Sequence, residues 1–301
     1  MPNYNHCLRP IFTENIVKTL KRGESINIYG AKGQGRKRLL EDLQSCQFDD
    51  MQVLLINMKN YASSYQGFVE ALGHEIGEQN SVKFGDLLDK IELTNKDTDR
   101  NSIILLYNFD SLLNNKTVHR QYGIRFFDSL NTIKNRSNMV LVCVTEKIHS
   151  SSMIYVNRGV KRGSWLNLEL KKLPDLNMEE IQTELKRDFP ALYMDELNQI
   201  SNKISVHKYP YHLLTHFVDG LNNREDEATA LNIRLDKWQK SFNKDRSIFS
   251  YAGLNRLVQR IKNFFGALEI WELLNRVVKL VFYDFPNAIV DIIKHITSKK
   301  K

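Results

Sequence analysis

The sequence predicts an α/β fold: a parallel sheet flanked by helices, then a helical lid and a C-terminal helical appendage. Three observations predict it. Residues 52–57, 102–107 and 139–144 are continuous apolar runs, the composition of strands buried on both faces. Stretches of helical periodicity separate those runs, and crossover helices are what parallel neighbours require. Beyond Pro174 only the helical period remains. The implied boundaries are an α/β core at 1–172, a lid at 173–222 and a helical region at 223–301.

The elements follow in order. Residues 13–21 place Ile16, Val17 and Leu20 on one helical face. A short strand, 25–29, runs into the glycine-rich turn 30–35, and a helix then carries Leu39, Leu40 and Leu43. After the strand at 52–57, residues 65–76 align Phe68, Val69, Leu72 and Ile76, and 84–93 forms the next helix. Residues 118–136 form a helix with Phe126, Phe127, Leu130 and Ile133 as its apolar stripe. A fifth strand is expected at 165–170. Asn177 followed by Glu180 reads as a capping box opening a helix at 178–187, with further helices at 193–204 and 209–221. The charged turn 222–227 precedes a basic, aromatic-containing helical stretch, 228–301.

Composition narrows the function. With 42% hydrophobic and 26% charged residues among 301, a packed core is available and disorder is not expected. A net charge of +8 suits nucleic acid or an anionic membrane surface, and equally an ordinary basic surface. Cys7, Cys46 and Cys143 lack C-x-x-C spacing, which suits a reducing cytosol and argues against a zinc site or a disulfide framework. His212 and His216 share a helical face but have no third ligand in sequence, so they read as ordinary lid histidines and no metal is expected. No apolar stretch has signal-peptide or membrane-span length, and the expected location is cytoplasmic.

The chemistry concentrates in 26–40. Strand, glycine-rich turn and helix start make a phosphate cradle, because glycines let backbone N–H groups curl round oxygens and the helix N-terminus adds positive charge. Gly30 and Gly35 have the spacing of G-x-x-x-x-G-K-[ST], with Gly33 between them. Arg36 stands at the Lys position and Lys37 at the Ser/Thr position. Arg36 keeps the charge with a forked, bulkier head. Lys37 has donors and no lone pair, so it cannot ligate Mg²⁺. Lys32 and Arg38 add charge beside the turn. The alternative is a glycine turn that holds no ligand.

A second landmark ends the strand at 102–107. An acid there ordinarily holds Mg²⁺ through water, and the next acid activates the attacking water. Here Tyr107 and Asn108 occupy those positions, ahead of Phe109 and Asp110. Asn108 can orient a water and cannot take its proton. Asp110 is the other catalytic candidate, unless it caps the following helix.

The order of these landmarks resembles the AAA+/STAND P-loop ATPases, with altered Walker A and Walker B motifs. The resemblance covers about 10–222. It extends to 139–147, similar to the sensor strand with Thr145 at its tip, and to 207–214, similar to a lid signature whose Pro, here Pro210, packs on adenine while Lys208 replaces its Gly. Thr145 also suits a local turn bond and Pro210 a plain helix start. The resemblance implies ATP or ADP as cofactor, Mg²⁺ disfavoured by Lys37 and Tyr107, and weak or absent hydrolysis. It implies a nucleotide-binding switch or scaffold subunit, in prokaryotic defence or DNA transactions. A rival is an active ATPase completed by a partner; another is a nucleotide-free interaction or membrane-adaptor protein. In 251–301, basic and aromatic residues on helical faces are compatible with a packed domain, docking to a protein partner or a second copy, an anionic membrane surface, or nucleic acid.

Overall fold

A computed structural model describes residues 4–46, 51–78, 83–113, 118–136, 138–148, 153–156, 159–162, 166, 168–223 and 229–246. Its elements run α1 (Pro10–Lys21), β1 (Ile26–Tyr29), α2 (Arg36–Ser45), β2 (Met51–Asn57), α3 (Met58–Tyr61), α4 (Tyr65–Glu75), α5 (Phe84–Thr98), β3 (Asn101–Tyr107), α6 (Ile124–Ile133) and β4 (Met139–Thr145). Then come β5 (Met153–Val156), β6 (Gly159–Arg162), β7 (Glu169–Lys172), α7 (Met178–Asp188), α8 (Met194–Ser205), α9 (Pro210–Asn222) and α10 (Leu231–Arg246). A short 3-10 turn, Phe109–Leu112, follows β3.

Five strands form one sheet in the order β2-β3-β4-β1-β7, and every pair in it is parallel. Because successive side chains alternate across a strand, each central strand feeds two apolar layers. Ile104 and Leu106 of β3, with Leu141 and Cys143 of β4, enter a layer with Phe68, Leu87 and Phe126 from α4, α5 and α6. Ile103, Leu105, Val140 and Val142 enter the other, with Ile16 and Leu20 of α1 and Leu39 and Leu43 of α2. Phosphate-loop and second-landmark strands thus end on the same edge of the sheet, two positions apart.

The contact pattern divides the chain into Met1–Thr215 and His216–Lys301. Within the second unit, Phe217, Trp238 and Phe242 are buried, and the Gly220 Cα lies against the Trp238 ring, where an added Cβ would sit 2.7 Å from a ring carbon. A His216 ring nitrogen is hydrogen-bonded to the Trp238 carbonyl at 3.1 Å.

Several sequence expectations shift. The helix expected over 118–136 forms only as α6, because Gly123 is its N-cap and Tyr122 is buried with its hydroxyl on the Tyr61 carbonyl at 2.9 Å. The fifth strand lies at 169–172 rather than 165–170: it is an exposed sheet edge, so its residues carry no apolar run to mark it. The antiparallel β5–β6 hairpin and the short α3 gave no sequence signal. At α7 the capping box forms as its spacing predicts, Glu180 N donating to Asn177 Oδ1 at 2.8 Å and Asn177 N to Glu180 Oε2 at 3.0 Å. The readings of 251–301 as lipid, nucleic-acid or partner surface fall outside the described residues.

Candidate functional site

The glycine-rich turn is shaped by two left-handed residues. Gly33 has φ +90° and Gly35 φ +89°, a region a Cβ disfavours. Gly35 is the N-cap of α2 and no side chain caps it, so the first amides of α2 face outward. The turn is braced from several sides. Gly30 N donates to the Thr145 carbonyl at 3.2 Å and Ala31 N to Gln34 Oε1 at 2.8 Å. Arg9, 1% exposed, donates from Nη2 to the Gln34 carbonyl at 2.7 Å and from Nε to the Pro174 carbonyl at 3.1 Å. Burial lowers the Arg9 pKa to about 10, and nearby Glu180 opposes the shift.

Above the turn lies a cleft of about 390 Å³, in the range typical of small-molecule sites. It is lined by Lys32, Gly33, Gly35, Arg36, Lys37, Lys59, Tyr107, Asn108, Asp110, Ser111, Glu146, Tyr211 and His212. Four basic and two acidic residues thus contribute to the lining, the Lys37 ammonium lying 3.0 Å from Glu41 Oε1. Arg36 lies near both acids: Nη1 is 3.8 Å from Asp110 Oδ2 and Nη2 3.9 Å from Glu146 Oε2, with the side chain 11% exposed. Both distances exceed hydrogen-bond length. Nη1 is buried without a hydrogen-bond partner among the described residues, which is costly for a charged donor.

The predicted residues separate accordingly. Lys32, Gly33, Gly35, Arg36, Lys37, Asn108 and Asp110 converge on the cleft. Gly30 braces the turn from behind, where an added Cβ would meet Leu173 Cβ at 2.9 Å. Arg38 points away: Nε contacts Asp42 Oδ1 at 2.7 Å and Nη1 contacts Glu184 Oε1 at 2.5 Å. Thr145 turns inward, its buried hydroxyl bonding Asn27 Oδ1 at 3.1 Å and the Lys147 carbonyl at 2.9 Å. Pro210 is buried at the first turn of α9. Asp110 is no helix cap; it lies inside the 3-10 turn, and its Oδ2 accepts the Glu146 amide at 2.6 Å. Asn108 has φ +52° and donates from Nδ2 to Asn57 Oδ1 at 3.0 Å.

Sequence reasoning missed Lys59, Ser111, Glu146 and Tyr211. Lys59 follows the buried strand 52–57, and ligands in such sheets sit beyond strand C-termini, so a signal existed. Tyr211 follows Pro210 directly. Glu146 carried no local sign. The start of α9 is seated on the turn: the Gly33 carbonyl accepts from Tyr211 N at 3.0 Å and His212 N at 3.3 Å. A Cβ on Gly33 would lie 2.8 Å from the Tyr209 side chain, and one on Gly35 2.9 Å from Tyr211. The two glycines are thus required by this contact as well as by their φ.

The donor set does not fit Mg²⁺. A hard cation needs oxygen ligands free to face it. Lys37 is an ammonium and Asn108 is tied to Asn57, while Asp110 and Glu146 flank Arg36. An anion fits better: basic residues, a helix N-terminus and a guanidinium nitrogen with no hydrogen-bond partner among the described residues meet there.

No protein-family model and no curated protein matches the sequence. Solved structures do. The Aeropyrum pernix ORC2 protein, in ADPNP–ADP complexes, is similar with TM-score 0.55 and 13% identity over 96% of this chain and 84% of that one. Drosophila ORC bound to DNA gives TM-score 0.53 and 13% identity, covering 92% and 79%. The A. pernix ORC1 protein in complex with DNA gives 0.52 and 13%, covering 82% and 67%. At such identities the likeness speaks for the fold alone: an α/β P-loop NTPase fold with helical parts.

Proposed function

We propose that this chain is a nucleotide-binding switch or scaffold subunit that holds the phosphates of ATP or ADP without a divalent cation and hydrolyses them weakly or not at all. The observation carrying the reading is the Arg36 guanidinium, buried at the mouth of the cleft with Nη1 lacking a hydrogen-bond partner among the described residues. A phosphate oxygen supplies that partner, while Lys32 and Lys59 and the α2 N-terminus take up the remaining charge; Lys37 is paired with Glu41 at 3.0 Å. Weak hydrolysis follows from the acids. Asp110 already accepts an amide and faces Arg36, and Asn108 cannot take a proton from water.

A switch needs an element whose position responds to phosphate. Residues 173–222 are proposed as that lid. The start of α9 hydrogen-bonds the Gly33 carbonyl, so a turn that reshapes around phosphate shifts α9 with it. The setting is proposed as cytoplasmic, in DNA transactions or prokaryotic defence, with protein or nucleic acid as partner. The basic net charge of +8 and the DNA-bound similar structures support the nucleic-acid arm.

Thermal melting with ATP, ADP and GTP, each with Mg²⁺ and with EDTA, tests the reading. A shift of equal size in EDTA is expected; no shift with any of the three ends the proposal. A second reading, an ATPase completed by a partner, is favoured by Asp110 lining the same cleft. Steady turnover that disappears in Asp110→Ala would establish it in place of the first.

A further inference from the structure

The second feature of chemical interest lies at the opposite end of α2 from the phosphate turn. Cys46 is the C-cap of α2, and the segment before α1 returns to it. There the imidazole of His6 and the thiols of Cys7 and Cys46 present ligand atoms all within 4.8 Å of one another. His6 Nε2 and Cys7 Sγ are 3.5 Å apart. Both thiols are buried.

We propose that His6, Cys7 and Cys46 form a site for a thiolate-preferring divalent cation of the zinc type. Around tetrahedral zinc, neighbouring N and S ligand atoms lie about 3.6–3.8 Å apart, from bond lengths of about 2.0–2.3 Å. One pair, at 3.5 Å, is already close to that spacing, and the others, within 4.8 Å, close by about 1.2 Å or less. Two sulfurs and one imidazole select zinc-like ions over the hard, oxygen-seeking cations. Three protein ligands leave one coordination position for water.

The surroundings hold the ligands in place. The His6 carbonyl accepts from Arg38 Nη2 at 3.1 Å and Arg187 Nη1 at 2.7 Å. Leu8, the residue after Cys7, donates its amide to Asp42 Oδ2 at 3.0 Å. Asp42 is buried and occupied by Leu8 and Arg38, so it supplies negative charge beside the cation rather than a ligand. Ser45 Oγ donates to the Asp42 carbonyl at 2.8 Å, so its 2.8 Å contact with His6 Nε2 is one in which the imidazole donates. Binding through that nitrogen breaks this bond and moves the ring proton to the other nitrogen. Each thiol releases one proton to water as its sulfur binds, with no change of oxidation state.

A bound cation would do mechanical work. The segment it fixes continues into Arg9, whose guanidinium grips the Gln34 and Pro174 carbonyls beneath the phosphate turn. The cation would therefore fasten the support of the turn at a point outside the cleft. This inference is independent of whether nucleotide binds.

The test uses the full chain, reduced and freed of metal with a chelator, then titrated with Co²⁺ and subsequently Zn²⁺. Expected are one cobalt per chain with a thiolate-to-cobalt charge-transfer band, its loss on adding zinc, and a higher melting temperature for the zinc form. Cys7→Ser and Cys46→Ser should each abolish the band, and Cys143→Ala should retain it. Circular dichroism confirms that the variants are folded, and His6→Ala, which leaves the apolar core untouched, gives the same loss if Cys46→Ser unfolds. Absence of the band in the parent chain, its persistence in the Cys7 and Cys46 variants, or formation of a Cys7–Cys46 disulfide in preference to metal uptake would overturn the proposal.

Discussion

Replacing Arg36 with Met removes the group on which the cleft chemistry turns. Met keeps the length and apolar stem while deleting the charged fork. In the parent chain Nη1 and Nη2 stand 3.8 and 3.9 Å from Asp110 and Glu146, held by charge alone, and Nη1 lacks a hydrogen-bond partner among the described residues. A phosphate oxygen meeting Nη1 gains one charge-assisted hydrogen bond, worth about 1.5–3 kcal/mol. At roughly 1.4 kcal/mol per decade, Kd for ATP in EDTA rises about 10- to 150-fold in Arg36→Met. Folding should change far less. The Asp110 and Glu146 side chains are 27% and 44% exposed, so water takes over their solvation once the guanidinium is gone. Isothermal titration calorimetry on both proteins, with melting curves to confirm folding, measures the two effects separately. An Arg36→Met chain that binds ATP with the parent Kd refutes the assignment of Arg36 as the phosphate contact.

Three further outcomes follow from the geometry. Glu146→Gln removes an exposed carboxylate from beside the bound phosphate, and ATP affinity in EDTA should tighten about two- to fivefold, the scale of an exposed charge pair; an unchanged or weaker affinity would show that Glu146 does not oppose the phosphate. Gly33→Ala forces a Cβ into φ +90° and to 2.8 Å from the Tyr209 side chain, at a cost of about 1–3 kcal/mol. Its melting temperature should fall by about 2–10 °C, and an unaltered melt would show that α9 does not pack on the turn. Arg9→Met leaves the Gln34 and Pro174 carbonyls without their charged donor and should destabilise the fold by about 2–4 kcal/mol in urea unfolding, a loss that parent-like unfolding would contradict.

The sequence determined by itself those features that depend on neighbours along the chain. Apolar runs identified β3 and β4, because a strand buried on both faces has no polar side to interrupt it, and also β2, an edge strand that buries Leu54 and Ile56 on one face and Val53 and Leu55 only partly on the other. The glycine spacing identified the turn, since two left-handed residues there exclude most side chains. Asn177 and Glu180 identified the start of α7, as a capping box closes within four residues. The tertiary structure decided what meets across that frame. Strand order β2-β3-β4-β1-β7 carries Asp110 and Glu146 to Arg36 and sets Lys59 at the same mouth, although these residues are far apart in sequence. Arg38, two residues after Arg36, was indistinguishable from it as a charge; helix rotation sends it to Asp42 and Glu184 instead. Thr145 turned inward because Asn27 of the neighbouring strand offers it a buried partner. Cys7 and Cys46 looked unrelated by spacing and came together only because the segment before α1 folds back on the end of α2. Periodicity and φ preference act over a few residues, whereas a site is a convergence of side chains whose separation in space is fixed by the packing of the whole sheet.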